Sequence, residues 1–153
     1  MHADFIAKGY SIRKIEANNT HVTVLFNDFS IEVLNANDIN QVIARREKGP
    51  LGDNADMVDI TVVHERSEIW CCDNKGFVHI LDCVSLDLIP NRKIKTEYEN
   101  PGNCVGSSAD GKYVAVGDTK GTVTLFDTDS RSKKWYVKAH KNKSMIIKFT
   151  SDS

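Results

Sequence analysis

A seven-residue pattern that recurs at nearly constant spacing is the strongest constraint on the fold of this 153-residue chain. The segments 76–82 and 121–127 share Gly, any residue, aliphatic, any residue, aliphatic, a bulky apolar residue and Asp, and they lie 45 residues apart. An earlier copy at 29–35 lies 47 residues before the segment at 76–82, with Phe29 in the Gly place and Asn35 in the Asp place. Self-similarity at this period predicts stacked copies of one supersecondary unit.

Each copy forms the second half of a predicted β-hairpin. A second apolar run precedes it, at 22–26, 68–72 and 113–117, and Asn, Asp and Gly residues separate the two runs. These residue types tolerate the positive φ that tight hairpins need, and the runs alternate as strands do. One strand before and one after complete four per unit. We expect them at 58–64 and 86–93 in the second unit, and at 103–109 and 134–138 in the third.

Three short motifs resemble those of the WD40-repeat family. Leu81-Asp82 and Phe126-Asp127 stand where Trp-Asp ends the third strand, and Ala139-His140 stands where Gly-His opens a blade. The segment 108–112 resembles the Ser-Pro-Asp-Gly-Lys turn. No blade has a true Trp-Asp, and only His140 offers the Gly-His histidine, so no blade present carries the hydrogen-bonded His–Ser–Trp–Asp tetrad. We therefore expect blades held mainly by packing of their sheet faces.

The resemblance implies an all-β fold, a partial WD40-type β-propeller of about three four-stranded antiparallel blades plus the first strand of a fourth. The blades are expected at roughly 8–48, 56–97 and 102–139, and 140–153 would open the next blade with a strand at 145–149. Closed propellers use about four to eight blades. The rest of the propeller is thus expected to be missing from this chain, which is either a fragment or assembles with copies of itself. The cut inside 150–153 favours a fragment.

The search for catalytic chemistry predicts that the chain is not an enzyme. Five histidines are scattered over different strands and turns, and no nucleophile, phosphate-loop or dinucleotide motif occurs. We predict no catalytic, cofactor or metal site. His79, on the opposite face from its neighbours, is expected in a partly exposed sheet position. Asp53, Asp56 and Asp59 predict a solvated connection between blades, with calcium binding as the alternative.

The four cysteines are expected to be small buried residues in a reducing compartment, with a redox role as the alternative. Their spacing contains no CxxC pair. Neighbouring Cys71 and Cys72 should point to opposite faces of a strand.

Charge is distributed unevenly along the chain. The formal net charge is -1, but seven Lys and Arg and no Asp or Glu lie between 131 and 148, which leaves 13 Lys and Arg against 21 Asp and Glu elsewhere. This segment predicts either an edge for an acidic protein or a nucleic-acid backbone, or a solvated outer strand. The candidate partner-binding residues are Arg131, Lys133, Lys134, Trp135, Lys138 and His140.

A propeller predicts a protein-interaction scaffold. Segments within residues 58–153 are also similar to late blades of the actin-interacting proteins, WD-repeat proteins that assist cofilin in disassembling actin filaments. That resemblance implies actin or cofilin as partners and a cytoplasmic, cytoskeleton-associated location. No signal-peptide run and no membrane span occur, so we expect no membrane contact. The alternative function is a nucleic-acid-associated scaffold, for example in RNA processing, that uses residues 131–148.

Overall fold

The computed structural model describes residues 11–47, 55–89, 94–142 and 146–151, and it is all-β. One short 3₁₀ turn, His64–Arg66, interrupts the strands of the described residues. The strands are β1 (Ile12–Ala17), β2 (His21–Phe26), β3 (Ile31–Asn35), β4 (Asp38–Arg46), β5 (Met57–Val63), β6 (Glu68–Asp73), β7 (Phe77–Asp82), β8 (Ile94–Lys95), β9 (Gly102–Ser107), β10 (Tyr113–Asp118), β11 (Thr122–Asp127) and β12 (Ser132–Lys138).

The strands form three four-stranded antiparallel sheets, each in simple sequence order. We name them blade 1 (β1–β4), blade 2 (β5–β8) and blade 3 (β9–β12). The predicted partial propeller of three four-stranded blades is confirmed. Within the described residues no helix is long and apolar enough to cross a membrane.

Apolar sheet faces hold neighbouring blades together. One buried cluster joins blades 1 and 2 and includes Leu25, Val33 and Ile69, and a second joins blades 2 and 3 around Trp70 and Phe126. The rings of Trp70 and Phe126 are both fully buried, with centroids 6.3 Å apart. Burial of a large side chain stabilises by about 1.5–3 kcal/mol, so these faces supply most of the cohesion between blades.

The turns between the second and third strands of all three blades place a residue with positive φ at the Gly position of the repeat. Gly76 and Gly121 both have φ of 85°, and Phe29, in the equivalent place, has φ of 67°. Added Cβ atoms at the two glycines would lie 2.3 Å from the Glu99 backbone and 2.2 Å from the Asn142 carbonyl oxygen. At both positions glycine is favoured for two reasons. The φ angle is positive, and the backbone that passes close by leaves no room for a Cβ atom.

Two strand predictions are wrong. The fourth strand of blade 2 does not cover 86–93: Leu86 has φ of 62°, Leu88 forms only an isolated bridge with Leu81, and β8 is the two-residue Ile94–Lys95. A left-handed residue interrupts an extended chain. Residues 90–93 lie outside the described residues. Likewise 146–149 form no strand, because no described strand pairs with them in a sheet; residue 145 lies outside the described residues.

Candidate interaction surface

The innermost strands of the three blades are tied by one lysine. Lys14 Nζ on β1 donates to the carbonyl oxygens of Ile60 and Val105, at 2.7 and 2.9 Å, and lies 3.2 Å from Asp59 Oδ2. The same Asp59 oxygen accepts the Val105 N–H at 2.9 Å. The cation therefore meets β5 and β9 at once, and its charge is compensated by a carboxylate within the fold.

A second tie lies further along the same strands. Glu16 Oε2 accepts the Val62 N–H at 2.5 Å, and the Thr61 hydroxyl lies 3.2 Å from Glu16 Oε1 and 2.9 Å from Ser107 Oγ. These partners are 45 or 46 residues apart in sequence. The contacts thus join nearly equivalent positions of successive blades.

A cavity of about 570 Å³ adjoins these ties. Its walls come from β1, β5, β9 and residues 146–149. The polar groups of Lys14, Glu16, Asp59, Thr61 and Ser107 on the cavity wall are bonded to one another or to backbone. This polar lining stabilises the junction of the blades.

The expected solvated acidic connection is wrong at Asp59, which is 8 % exposed and lies within β5. It takes this position because Lys14 compensates its charge. Asp53 lies outside the described residues. No three His, Cys, Asp or Glu side chains among the described residues are placed to hold a metal ion.

His79 is buried, so its expected partial exposure is wrong. Its Nε2 lies 2.7 Å from Asp73 Oδ2, and the other oxygen of Asp73 accepts the N–H groups of Lys75 and Phe77. Burial opposes ionisation of Asp73, but the hydrogen bonds from His79 and from the two backbone amides outweigh it and lower the pKa of the carboxyl. The pair closes a hairpin turn, and Asp118 caps the equivalent turn of blade 3 in the same way.

The cysteines are free, and three of them are buried as predicted: Cys71, Cys72 and Cys104. Burial raises the pKa of each of these thiols, to about 11 for Cys104. The reactive thiolate is therefore disfavoured at neutral pH. Cys83 is half-buried.

Strand β12 carries most of the candidate partner-binding residues and is exposed along its whole length. Half of the surface of Trp135 is open, and Tyr136 and Val137 are 45 % and 46 % exposed. Trp135 and Val137 share one face of this strand and Tyr136 lies on the other, so both faces of β12 expose large apolar side chains. Tyr136 also packs edge-to-face on the exposed Tyr98, with ring centroids 5.7 Å apart.

The fold already compensates two of the candidate cations. Arg131 Nη2 lies 2.5 Å from the buried Glu68 of blade 2, and Lys133 is paired with Glu97. Glu68 also accepts the indole N–H of Trp70 at 3.0 Å. These two side chains therefore join blade 3 to the chain before it, a role that no sequence pattern revealed because the partners are 63 and 36 residues away.

The remaining cations form no salt bridge among the described residues, although Lys134 is near enough to Asp127 to help lower the pKa of that carboxyl. Lys134 Nζ lies 5.5 Å from the centre of the Tyr113 ring, and Lys138 Nζ donates to the Lys120 carbonyl oxygen. His140 is exposed, and its backbone N–H donates to the Gly121 carbonyl oxygen. We name Lys134, Trp135, Tyr136, Val137 and Lys138 the outer-strand patch. It combines exposed aromatic and apolar surface with positive charge.

Comparison with solved structures identifies the architecture. Two of the similar structures, "Crystal structure of RRP9 WD40 repeats" and "Structure of U3-55K", each align with a TM-score of 0.73 at 8% sequence identity. Each alignment covers 90% of this chain and 41% or 42% of the other chain. The chain has the WD40 β-propeller fold. It spans about two fifths of the length of these structures.

In sequence, the chain matches no protein-family model and no curated protein. At 8% identity the likeness shows the fold alone. The expected resemblance to WD40 repeats is thus confirmed at the level of fold. The narrower resemblance to actin-interacting proteins finds no support among these neighbours.

Proposed function

We propose that this chain is part of a WD40 protein-interaction scaffold and that the outer-strand patch is a contact surface for an acidic partner protein. The WD40 fold supports the scaffold role in general. The particular surface rests on one observation: Trp135, Tyr136 and Val137 are each about half exposed beside Lys134 and Lys138. Aromatic residues at the centre of a patch are typical anchors of protein interfaces.

A nucleic-acid scaffold is the second candidate, and internal pairing argues against it. Arg131 and Lys133 are compensated by Glu68 and Glu97, so they are not available to release counterions from a phosphate backbone. That leaves Lys134 and Lys138 of the four cations at 131–138, with Lys141 and Lys148 exposed further along the basic segment 131–148. The exposed aromatic and apolar neighbours of Lys134 and Lys138 on β12 favour a protein surface over a polyanion.

Site-specific photocrosslinking tests the proposal in cell extract. A photoreactive phenylalanine analogue replaces Trp135 in one sample and Ile39 in another, since Ile39 is a 37 % exposed residue of the outer strand of blade 1. We expect protein adducts at position 135 only, at sites rich in Asp and Glu when mapped by mass spectrometry, and fewer adducts with Lys134→Glu and Lys138→Glu. Actin or cofilin among the adducts would support the narrower role. Equal adducts at both positions, or adducts removed by ribonuclease, would contradict the proposal.

A further inference from the structure

The outer-strand patch lies on a sheet edge, and this edge offers backbone hydrogen bonds as well as side chains. In blade 3 the order is β12-β11-β10-β9, so β12 pairs with β11 on one side and with no described strand on the other. An edge strand of this kind presents a row of N–H and C=O groups that can pair with another extended chain.

The other outer edges are less suitable for such pairing. In blade 2 the outer strand β8 has only two residues. The outer strand of blade 1, β4, is longer, but its register shifts twice and Arg45 is held by Glu32 and Glu47. The register between β12 and β11 shifts once, between Lys133 and Trp135, and is then continuous from Trp135 to Lys138. An edge of this length can pair with a short extended segment of a peptide.

The two faces of β12 specify which peptide fits. Tyr136 and Lys138 pair with Thr124 and Thr122, on the side of blade 3 that packs toward blade 2, where Tyr136 meets Tyr98. Trp135 and Val137 point to the opposite face, because side chains alternate along a strand. An added strand would therefore set one face against aromatic and cationic groups, and the other against apolar groups.

We propose that β12 binds an extended acidic segment of a partner protein as a fifth strand of blade 3, with acidic residues beside Tyr136 and Lys138 and aliphatic residues beside Trp135 and Val137. This inference rests on the proposed function and names the chemistry and geometry of the partner. Main-chain hydrogen bonds would provide affinity, and alternate side chains would provide specificity. The occupant is peptide because only a polypeptide backbone matches the spacing of the edge groups.

The test is binding of a fluorescein-labelled heptapeptide of alternating Glu and Val to the whole chain, measured by fluorescence anisotropy. Two further peptides carry N-methyl groups, one on the odd-numbered and one on the even-numbered amides. In an antiparallel or parallel strand, alternate amides point to the same side. We therefore expect one N-methylated peptide to lose affinity by about tenfold or more and the other to keep it within about threefold, since only one set faces β12.

Protein variants locate the binding to the patch. Lys134→Glu combined with Lys138→Glu should weaken binding of the unmethylated peptide by about tenfold. The control Lys112→Glu changes the same kind of charge on a side chain that is 72% exposed, in the β9–β10 turn, and should leave affinity unchanged. Circular dichroism of each variant shows whether the sheet is intact.

Three results would overturn strand addition. Equal binding of both N-methylated peptides would show that charge alone attracts the peptide. Displacement of the peptide by a single-stranded oligonucleotide with steep salt dependence would assign the edge to nucleic acid. Absence of peptide binding while photocrosslinks at position 135 persist would leave the proposed scaffold function intact and show that its partner docks as a folded surface.

Discussion

The charged residues on the inner strands differ in their pairing from those on the outer strand of blade 3. On the inner edge the lysine of β1 bonds to two carbonyl oxygens and a carboxylate of the neighbouring blades, and the side chain of Asp59 is only 11% exposed. On the outer edge of blade 3 the lysines of β12 are exposed, and Lys134 and Lys138 form no salt bridge within the described part of the chain. The inner charges hold the blades together, whereas the outer charges remain available to another molecule.

The difference shows that charge alone does not mark a functional site in this fold. The sequence contains one dense basic segment, but burial and pairing divide it. Arg131 and Lys133 join the blades through Glu68 and Glu97, as the inner lysine does. Only the part with exposed aromatic neighbours has the character of an interface. Measurements of stability separate the two roles, because loss of a tie weakens folding and loss of an exposed charge does not.

Replacing the inner lysine should have the largest effect on stability. Lys14→Met keeps the apolar stem but leaves Asp59 without its cation and two carbonyl oxygens without a donor. We expect the free energy of unfolding to fall by about 2–3 kcal/mol, which urea unfolding followed by tryptophan fluorescence will measure. Trp70 reports the junction because it is buried between blades 2 and 3.

The matched control for that substitution is Lys138→Met on the outer strand, where Lys138 donates to the Lys120 carbonyl oxygen. We expect a change below about 0.5 kcal/mol, as for ordinary surface positions. Equal losses in the two variants would erase the contrast between the edges and would place Lys138 among the structural ties.

The repeat period was enough to predict the three sheets and their hairpins, because strand alternation and turn residues are local signals. The same period could have found the inner ties, since Asp59 stands 45 residues after Lys14. What sequence could not provide is the direction of each side chain. The buried position of His79 depends on Asp73 at the end of the preceding strand, and the left-handed conformation of Leu86 interrupts the strand expected at 86–93. Both are tertiary outcomes that override strand propensity.

Lowering the pH should reduce stability more through the buried carboxylate of Asp73 than through the less buried carboxylate of Asp127. The pKa of Asp73 is lowered below its ordinary value of 3.8, because its bonds to His79 and two backbone amides outweigh the effect of burial. The stability that this carboxylate provides is therefore fully present above about pH 4 and is lost as the pH falls through the folded-state pKa. We expect Asp73→Asn to reduce stability by about 1–2 kcal/mol at pH 7 and to make the decline in acid shallower, as measured by urea midpoints between pH 7 and pH 2.5.

The less buried counterpart is Asp127, the last residue of β11 before the turn into β12. The Ser130 N–H lowers the pKa of this carboxyl against the opposing effect of burial. Asp127→Asn should alter the loss of stability at low pH less than Asp73→Asn does. Water can bond to the turn groups that lose their carboxylate partner. A larger change in the pH dependence of stability for Asp127→Asn than for Asp73→Asn would contradict the assignment of Asp73 as a buried tie.

The smallest expected effect comes from two hydroxyl pairs of similar geometry. Thr61 and Ser107 join neighbouring inner strands with their oxygens 2.9 Å apart, and Ser130 and Ser132 lie 2.7 Å apart beside the outer strand. In a double-mutant cycle, Thr61→Val with Ser107→Ala should give a coupling of about 0.5–1 kcal/mol, since water competes poorly at a partly buried site. Ser130→Ala with Ser132→Ala should give a coupling near zero, because water replaces an exposed hydroxyl partner. If the exposed pair coupled as strongly as the inner pair, geometry rather than burial would determine the strength of these contacts, and the inner edge would have no special part in joining the blades.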